Sequence, residues 1–332
     1  MRLAGLVLFI VVALGFDFTN GFHDAANAVA TSITTRALRP LTALGMAAGL
    51  NMVGALVSTK VASTVGKGII SSPSGTHGLV IIFSALIGAI SWNLLTWWLG
   101  LPSSSTHALI GGLIGAAIGA ASTVKWHGVV QKVVLPMAAS PVIGLILGYV
   151  LMVIILRVFR RARATVVNDR FRKAQTVSAA AMAFSHGTQD AQKTMGVITL
   201  ALVTTGHLRS FHVPYWVIFS AAGAMGLGTL AGGWRVIRTL GRRITTLDPA
   251  RGFATETAAS AVLLVSAYAY AMPVSSTHII TSSIMGVGAS RRLSAVRWGV
   301  AQQIVLTWVL TIPGAAASAW VVYHIAHILI PS

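Results

Sequence analysis

Four short polar stretches, each set in long apolar surroundings, constrain this chain most, because they are costly to bury and they come as two pairs. Asn20-Gly21-Phe22-His23-Asp24-Ala25-Ala26-Asn27-Ala28 interrupts an otherwise apolar N-terminal segment. Ser185-His186-Gly187-Thr188-Gln189-Asp190-Ala191-Gln192-Lys193 repeats its Gly-x-x-Asp-Ala core 166 positions later. In the same way Pro102-Ser103-Ser104-Ser105-Thr106-His107 and Pro273-Val274-Ser275-Ser276-Thr277-His278 agree at five of six positions, 171 residues apart. The order is the same in both halves: Asp motif first, Pro-Ser-Ser-Thr-His motif second. This points to one site built from two copies of one unit.

The surroundings of these motifs place the chain in a membrane. Of its 332 residues 55% are hydrophobic and only 9% charged, where a soluble globule carries about a quarter charged residues; the mean hydropathy is +0.80. There is no cysteine, so disulfides and thiolate metal sites are excluded. A net charge of +18 would suit nucleic acid if the basic residues clustered on a soluble surface, but they lie in short loops between apolar spans. Orientation in the bilayer explains them, and no nucleic-acid partner is expected. Arg2, the apolar run Leu3 to Phe16 and Ala26-Asn27-Ala28 together imitate a secretory leader, yet the echo at Asp190 assigns this segment to the mature fold.

Reading for spans able to cross about 30 Å of hydrocarbon, the first half gives 3–36, 41–59, a double-length region 78–121, and 133–157. The second half gives 176–205, 213–234, the double-length region 254–290, and 298–328. The basic residues from Arg157 to Lys173 mark the boundary and show no helical apolar period. The expected fold is an all-α polytopic membrane protein of two inverted repeats, 1–157 and 176–332, joined by a basic cytoplasmic linker at 158–175. Each repeat is expected to hold a broken helix, spanning helices and a re-entrant helical hairpin (about 78–121 and 254–290), whose arms are too short to need two full crossings. A polar tip at membrane depth is permitted where it lines a cavity or packs in protein. Because a hairpin contributes an even number of crossings, each half has an odd total, and the halves must be inverted.

The basic residues test this topology, since none was used to place the spans. With the N-terminus outside, 17 of the 24 Lys and Arg fall in cytoplasmic loops, 6 fall outside (Arg2, Lys60, Lys67, Lys125, Lys132 and Arg209), and Lys193 lies within a span. That asymmetry follows the positive-inside rule. It places both termini outside a cell (inner) membrane.

An ionised carboxylate at the bilayer centre costs about 2.5–3.5 kcal/mol on insertion scales, so Asp24 and Asp190 need partners. Their neighbours in sequence are Asn20, Asn27 and Thr31, and Thr188, Gln189 and Gln192. Carboxylate with amide and hydroxyl oxygens is a hard-ligand set suited to a small cation or a proton; the alternative is that the two Asp residues cap broken helices. The coupling-ion candidates are Asp24, Asp190, His23, Asn20, Asn27 and Gln189. Ser104, Ser105, Thr106, Ser275, Ser276 and Thr277 follow a Pro and precede a helical arm, so hydroxyls and free amides meet at a helix N-terminus, a setting for a tetrahedral oxyanion. Capping alone is the plainer reading of one copy, and less sufficient for two. Lys193 aligns with Asn27 and has either an Asp or the bound anion as partner, or forms a salt bridge without a transport role. Gln192, His107 and His278 are further candidates, the histidines as anion ligands, proton carriers or packing residues. Glu256, near the cytoplasmic start of the second hairpin, is expected to snorkel to water. Asp17 lies seven residues before Asp24 on the same helical face.

The two Asp motifs and two Ser/Thr-rich tips resemble those of the inorganic phosphate transporter (PiT) family, and the wording Asn-Gly-Phe-His-Asp and Ser-His-Gly-x-x-Asp-Ala-Gln-Lys is similar to its bacterial low-affinity branch. The resemblance implies a secondary transporter, not an enzyme, that imports inorganic phosphate, alone or as a metal–phosphate complex, with a coupling cation and no cofactor. It also implies residence in a lipid bilayer and assembly as a homodimer. Many members have Gly-Ala-Asn-Asp in both copies, where this chain has His23 and Gln189 before the Asp. An amide oxygen suited to sodium is thereby replaced, once by a group that titrates near neutral pH, so proton symport is expected over sodium symport. Sulfate uptake on the same scaffold is the alternative within transport. An intramembrane serine protease or a passive channel is the alternative outside it; adjacent, duplicated Ser and His suit binding better than nucleophilic catalysis.

Overall fold

The computed structural model describes residues 3–70 and 75–329; Arg2, one of the outside basic residues above, lies outside them. Among the described residues the structure is helical, with one isolated bridge, Ile70 to Val124. The first half comprises α1 (Leu3–Thr34), α2 (Pro40–Val57), α3 (Lys60–Gly68), α4 (Gly75–Leu99), α5 (Ser105–Gly119), α6 (Trp126–Val129) and, after a π turn, α7 (Leu135–Val158). The second comprises α8 (Ala164–Thr204), α9 (Tyr215–Ala231), α10 (Trp234–Arg238) with its own π turn, α11 (Pro249–Tyr268), α12 (Ser276–Ala289) and α13 (Trp298–Leu329). Among the described residues five helical segments are long and apolar enough to cross a bilayer, or six if α9 and the segment after it, bent by 59°, count as one span. This is a multi-pass membrane protein.

The pairing of helices is reciprocal. α5 packs along α13 and α12 along α7; α2 packs along α8 and α9 along α1. Two apolar clusters fill the interior. α1 gives Leu6 to Phe16 to one and Ala25 to Ala30 to the other, while α8 gives Met182 and Ala183 to the second and Ala191 to Leu202 to the first. The two Asp-bearing helices therefore cross the interior in opposite directions, with their Asp motifs at the boundary between the clusters.

Four sequence expectations change. The alternative in which Asp24 and Asp190 cap broken helices is not met: α1 and α8 run helical through both residues. The carboxylates are satisfied by side chains of α5, α12 and their own helices, so the backbone need not open. The interruptions lie at the tips, between α4 and α5 and between α11 and α12, and at Gly232-Gly233 between α9 and α10. The linker is not irregular, because α8 begins at Ala164 and buries Phe171 against Phe159 and Phe253, each ring 5.3 Å away. The hairpin arms are unequal: α4, with 25 residues, is long enough to cross, while α5, with 15, is not. Finally, α3 and α10 form short helices in places read as polar loops.

Candidate functional site

Each Asp is held in register by the glycine three residues before it. A Cβ on Gly21 would strike the carbonyl oxygen of Met225 on α9, and one on Gly187 would strike that of Asn51 on α2. These glycines let two backbones touch one turn from each carboxylate. Each tip then begins a helix with the same cap: Ser104 Oγ accepts from the His107 amide and Ser275 Oγ from the His278 amide, both at 3.2 Å. That geometry aims Ser105 of one tip, and Ser276 and Thr277 of the other, toward the Asp helices.

The result is a closed ring of buried side chains. Ser105 Oγ donates to Asp24 Oδ2 at 2.7 Å and accepts from Lys193 Nζ at 2.8 Å. Lys193 also bonds Asp190 Oδ1 at 2.9 Å. Asp190 Oδ2 accepts from Ser276 Oγ at 3.0 Å, and Ser276 accepts from Asn27 Nδ2 at 3.2 Å. Asn27 donates again to Thr277 Oγ1 at 2.9 Å, and Thr277 returns to Asp24 Oδ1 at 3.4 Å. Every member is at most 2% exposed. Both Asp helices and both tips contribute, so the two motif pairs separated by more than 160 residues in the chain meet at one place.

A histidine flanks each carboxylate. His23 Nδ1 lies 2.7 Å from Asp24 Oδ1, with its Nε2 toward Ser103 Oγ at 3.4 Å and Thr96 Oγ1 at 3.5 Å. His186 Nε2 lies 2.9 Å from Asp190 Oδ2, and its Nδ1 lies 3.2 Å from Asn51 Oδ1. His186 escaped the sequence reading although it stands four residues before Asp190, one turn away on the same helical face, which was the signal available. One ligand atom each from Asp24, His186 and Asp190 lie within 4.8 Å of one another, two carboxylates and an imidazole able to hold a small cation.

The other candidates fall outside the ring. Gln192 accepts from the Val61 and Ala62 amides at 2.7 and 3.1 Å, capping α3. Gln189 donates to the Leu263 and Met272 carbonyls, both at 3.3 Å. Asn20 is buried with both amide atoms unpartnered. Ser104 and Ser275 use their hydroxyls as caps. Thr106 Oγ1 reaches only the Val274 carbonyl, at 3.4 Å. His107 and His278 sit one residue beyond the tip threonines, ring centroids 4.8 Å apart, with His278 stacked on Trp308. Glu256 does not snorkel: it is fully buried and accepts from Thr31 at 2.6 Å, Gln175 at 3.0 Å and Ser178 at 2.5 Å, joining α1, α8 and α11.

Comparison with known proteins agrees with this architecture. A model of the phosphate transporter family matches residues 20–319. A probable low-affinity inorganic phosphate transporter of Bacillus subtilis is 43% identical over 326 residues, covering 97% of each chain. One of Rhizobium meliloti is 47% identical over 328 residues, covering 98% of this chain and 97% of its own. A solved structure described as the sodium-dependent phosphate transporter shares the fold, with a TM-score of 0.88 and 23% identity over 99% of this chain and all of that one.

Proposed function

The chain belongs to the phosphate transporter family, and from that premise we propose that it imports inorganic phosphate by symport, with the ring of Asp24, Asp190 and the two tips as its central site. The observation that carries this reading is the convergence of two carboxylates with two helix N-termini, α5 and α12, in one buried cluster. The first amides of each helix have no intrahelical acceptor, and together with Ser105, Ser276 and Thr277 they supply donors from two directions to a tetrahedral anion. The halves act as inverted repeats, 1–157 and 176–332, with both termini outside; the opposite directions of α1 and α8 and the reciprocal helix pairing support that arrangement.

Charge explains why a cation must accompany the anion. With the imidazoles neutral, Asp24, Asp190 and Lys193 leave one net negative charge in a buried site, and phosphate adds at least one more. Such an excess is costly at membrane depth, so phosphate enters with positive charge. We assign that charge to a proton shared by Asp24 and His23, which touch at 2.7 Å. A sodium reading is favoured by the oxygen-rich grouping of Asp24 and Asp190 around His186. Purified protein in liposomes, given labelled phosphate with and without excess sulfate, tests the substrate. Saturable uptake insensitive to sulfate supports the proposal, and equal competition by sulfate would replace phosphate with a general oxyanion.

A further inference from the structure

The ring is assembled from duplicated positions, and its two arcs differ at one of them. Superposing the Asp motifs puts Asn27 on Lys193, and superposing the tips puts Ser105 on Ser276. In one arc the Lys193 ammonium joins Asp190, at 2.9 Å, to the tip hydroxyl of Ser105, at 2.8 Å. In the other arc Asn27 reaches the tip hydroxyls of Ser276 and Thr277 at 3.2 and 2.9 Å, and Thr277 makes the 3.4 Å contact with Asp24. One carboxylate thus has a tethered positive charge between itself and the opposite tip, and the other has a neutral amide there. Among the described residues Lys193 is the one Lys or Arg in the buried set. Asp17 on α1 is also buried, with both carboxylate oxygens unpartnered.

We propose that Lys193 is a resident cation: its ammonium occupies, in the second half, the place that an exchangeable cation takes beside Asp24 in the first. The inference rests on the cation-coupled reading above and specifies its stoichiometry. A tethered ammonium neutralises a carboxylate as a free cation would, but it is not released with the substrate. Each turnover therefore carries one free cation fewer than a fully symmetrical site would need.

Lys193→Asn installs the residue of the first half and tests this directly. Phosphate uptake into liposomes is followed against external sodium at fixed pH and against pH in choline chloride, and charge moved per phosphate is read from currents on a supported membrane. In whichever series the wild type responds, the variant should need at least about tenfold more cation, or about one pH unit more acid. Its cation dependence should steepen, and the charge per phosphate should rise by one. The exchange variant Asn27→Lys with Lys193→Asn should return to the wild-type steepness, and it serves as the readout if Lys193→Asn alone does not fold. Unchanged steepness and charge ratio in Lys193→Asn would overturn the proposal. So would a folded variant inactive at every cation concentration, which would make Lys193 a ligand of the anion, or an exchange variant that folds without the wild-type dependence. If the wild type moved no phosphate, the transport reading would fail instead. The resident-cation inference would then be decided by the rise in melting temperature that sodium or acid produces in detergent, expected to be larger in Lys193→Asn than in the wild type and counting against the inference if equal.

Discussion

Lys193 on α8 and Ser105 at the tip before α5 lie 2.8 Å apart, and through them the Asp190 carboxylate of one half is linked to the Asp24 carboxylate of the other. Neither bond can be replaced by water without opening the cluster, because every group in it is buried. The site is therefore sensitive to the loss of a single hydroxyl, and that sensitivity separates tip residues that serve the ring from those that only cap a helix.

Ser105→Ala removes a donor to Asp24 and an acceptor from Lys193, both charged, and hydrogen bonds to charged groups are worth about 1.5–3 kcal/mol each. Apparent phosphate affinity in liposome uptake should fall at least about tenfold, a difference of about 1.4 kcal/mol. Ser104→Ala loses only a cap, worth about 1 kcal/mol of stability, and should lower the melting temperature with a smaller change in affinity. Equal effects of the two on affinity would remove Ser105 from the site.

Asp24→Asn and Asp190→Asn should both abolish uptake against a gradient, but they should not be equally stable. Asp190 holds the Lys193 ammonium, and breaking a buried pair by removing one partner costs about 3–5 kcal/mol. Asp24 is contacted by His23, Ser105 and Thr277 and by no Lys or Arg, so Asp24→Asn should be the milder lesion in thermal unfolding. A reversed order of melting temperatures would show that Lys193 finds another partner.

Glu256 is bound by donors from two neighbouring helices, so its replacement reads as loss of a clamp between α1, α8 and α11. Glu256→Gln keeps one oxygen acceptor, for Thr31 or Ser178, whereas Glu256→Ala leaves three buried donors unsatisfied at about 1–3 kcal/mol apiece. Expression and melting temperature should fall in the order wild type, Gln, Ala. An Ala variant as stable as the wild type would mean that water enters the cluster.

Much of the buried ring was legible because it is duplicated: Asp24 with Asp190, and Ser105 with Ser276, stand out by spacing alone. What spacing does not carry is the partner. Gln192 sits beside Asp190 in sequence yet turns to cap α3, a helix whose polar composition hid it. Glu256 lies near the start of the second hairpin, which suggested snorkelling, but Thr31 and Gln175 reach it across 225 and 81 residues. Broken helices capped by Asp24 and Asp190 stood as the alternative to a cation site. The partners of the two carboxylates come from the tips and from the Asp helices themselves, and the glycines at 21 and 187 serve close helix crossing. Such contacts are set by packing between helices, which a single sequence records only where both partners are repeated.

The proposal of proton coupling rests on what touches each carboxylate. Sodium takes several neutral oxygens around a carboxylate at once, whereas Asp24 has an imidazole nitrogen at 2.7 Å and Asp190 another at 2.9 Å. Each imidazole removes a position that an oxygen would fill and adds a nitrogen that can carry a proton. Gln189, which has an oxygen to offer, directs its amide to the Leu263 and Met272 carbonyls outside the ring. Uptake into liposomes should therefore rise with an inward proton gradient and stay unchanged when external sodium is replaced by choline. His23→Gln, which restores an amide oxygen beside Asp24, should weaken the response to the proton gradient and introduce a dependence on sodium. A strict sodium requirement of the wild type at fixed pH would overturn the assignment and place sodium among Asp24, His186 and Asp190.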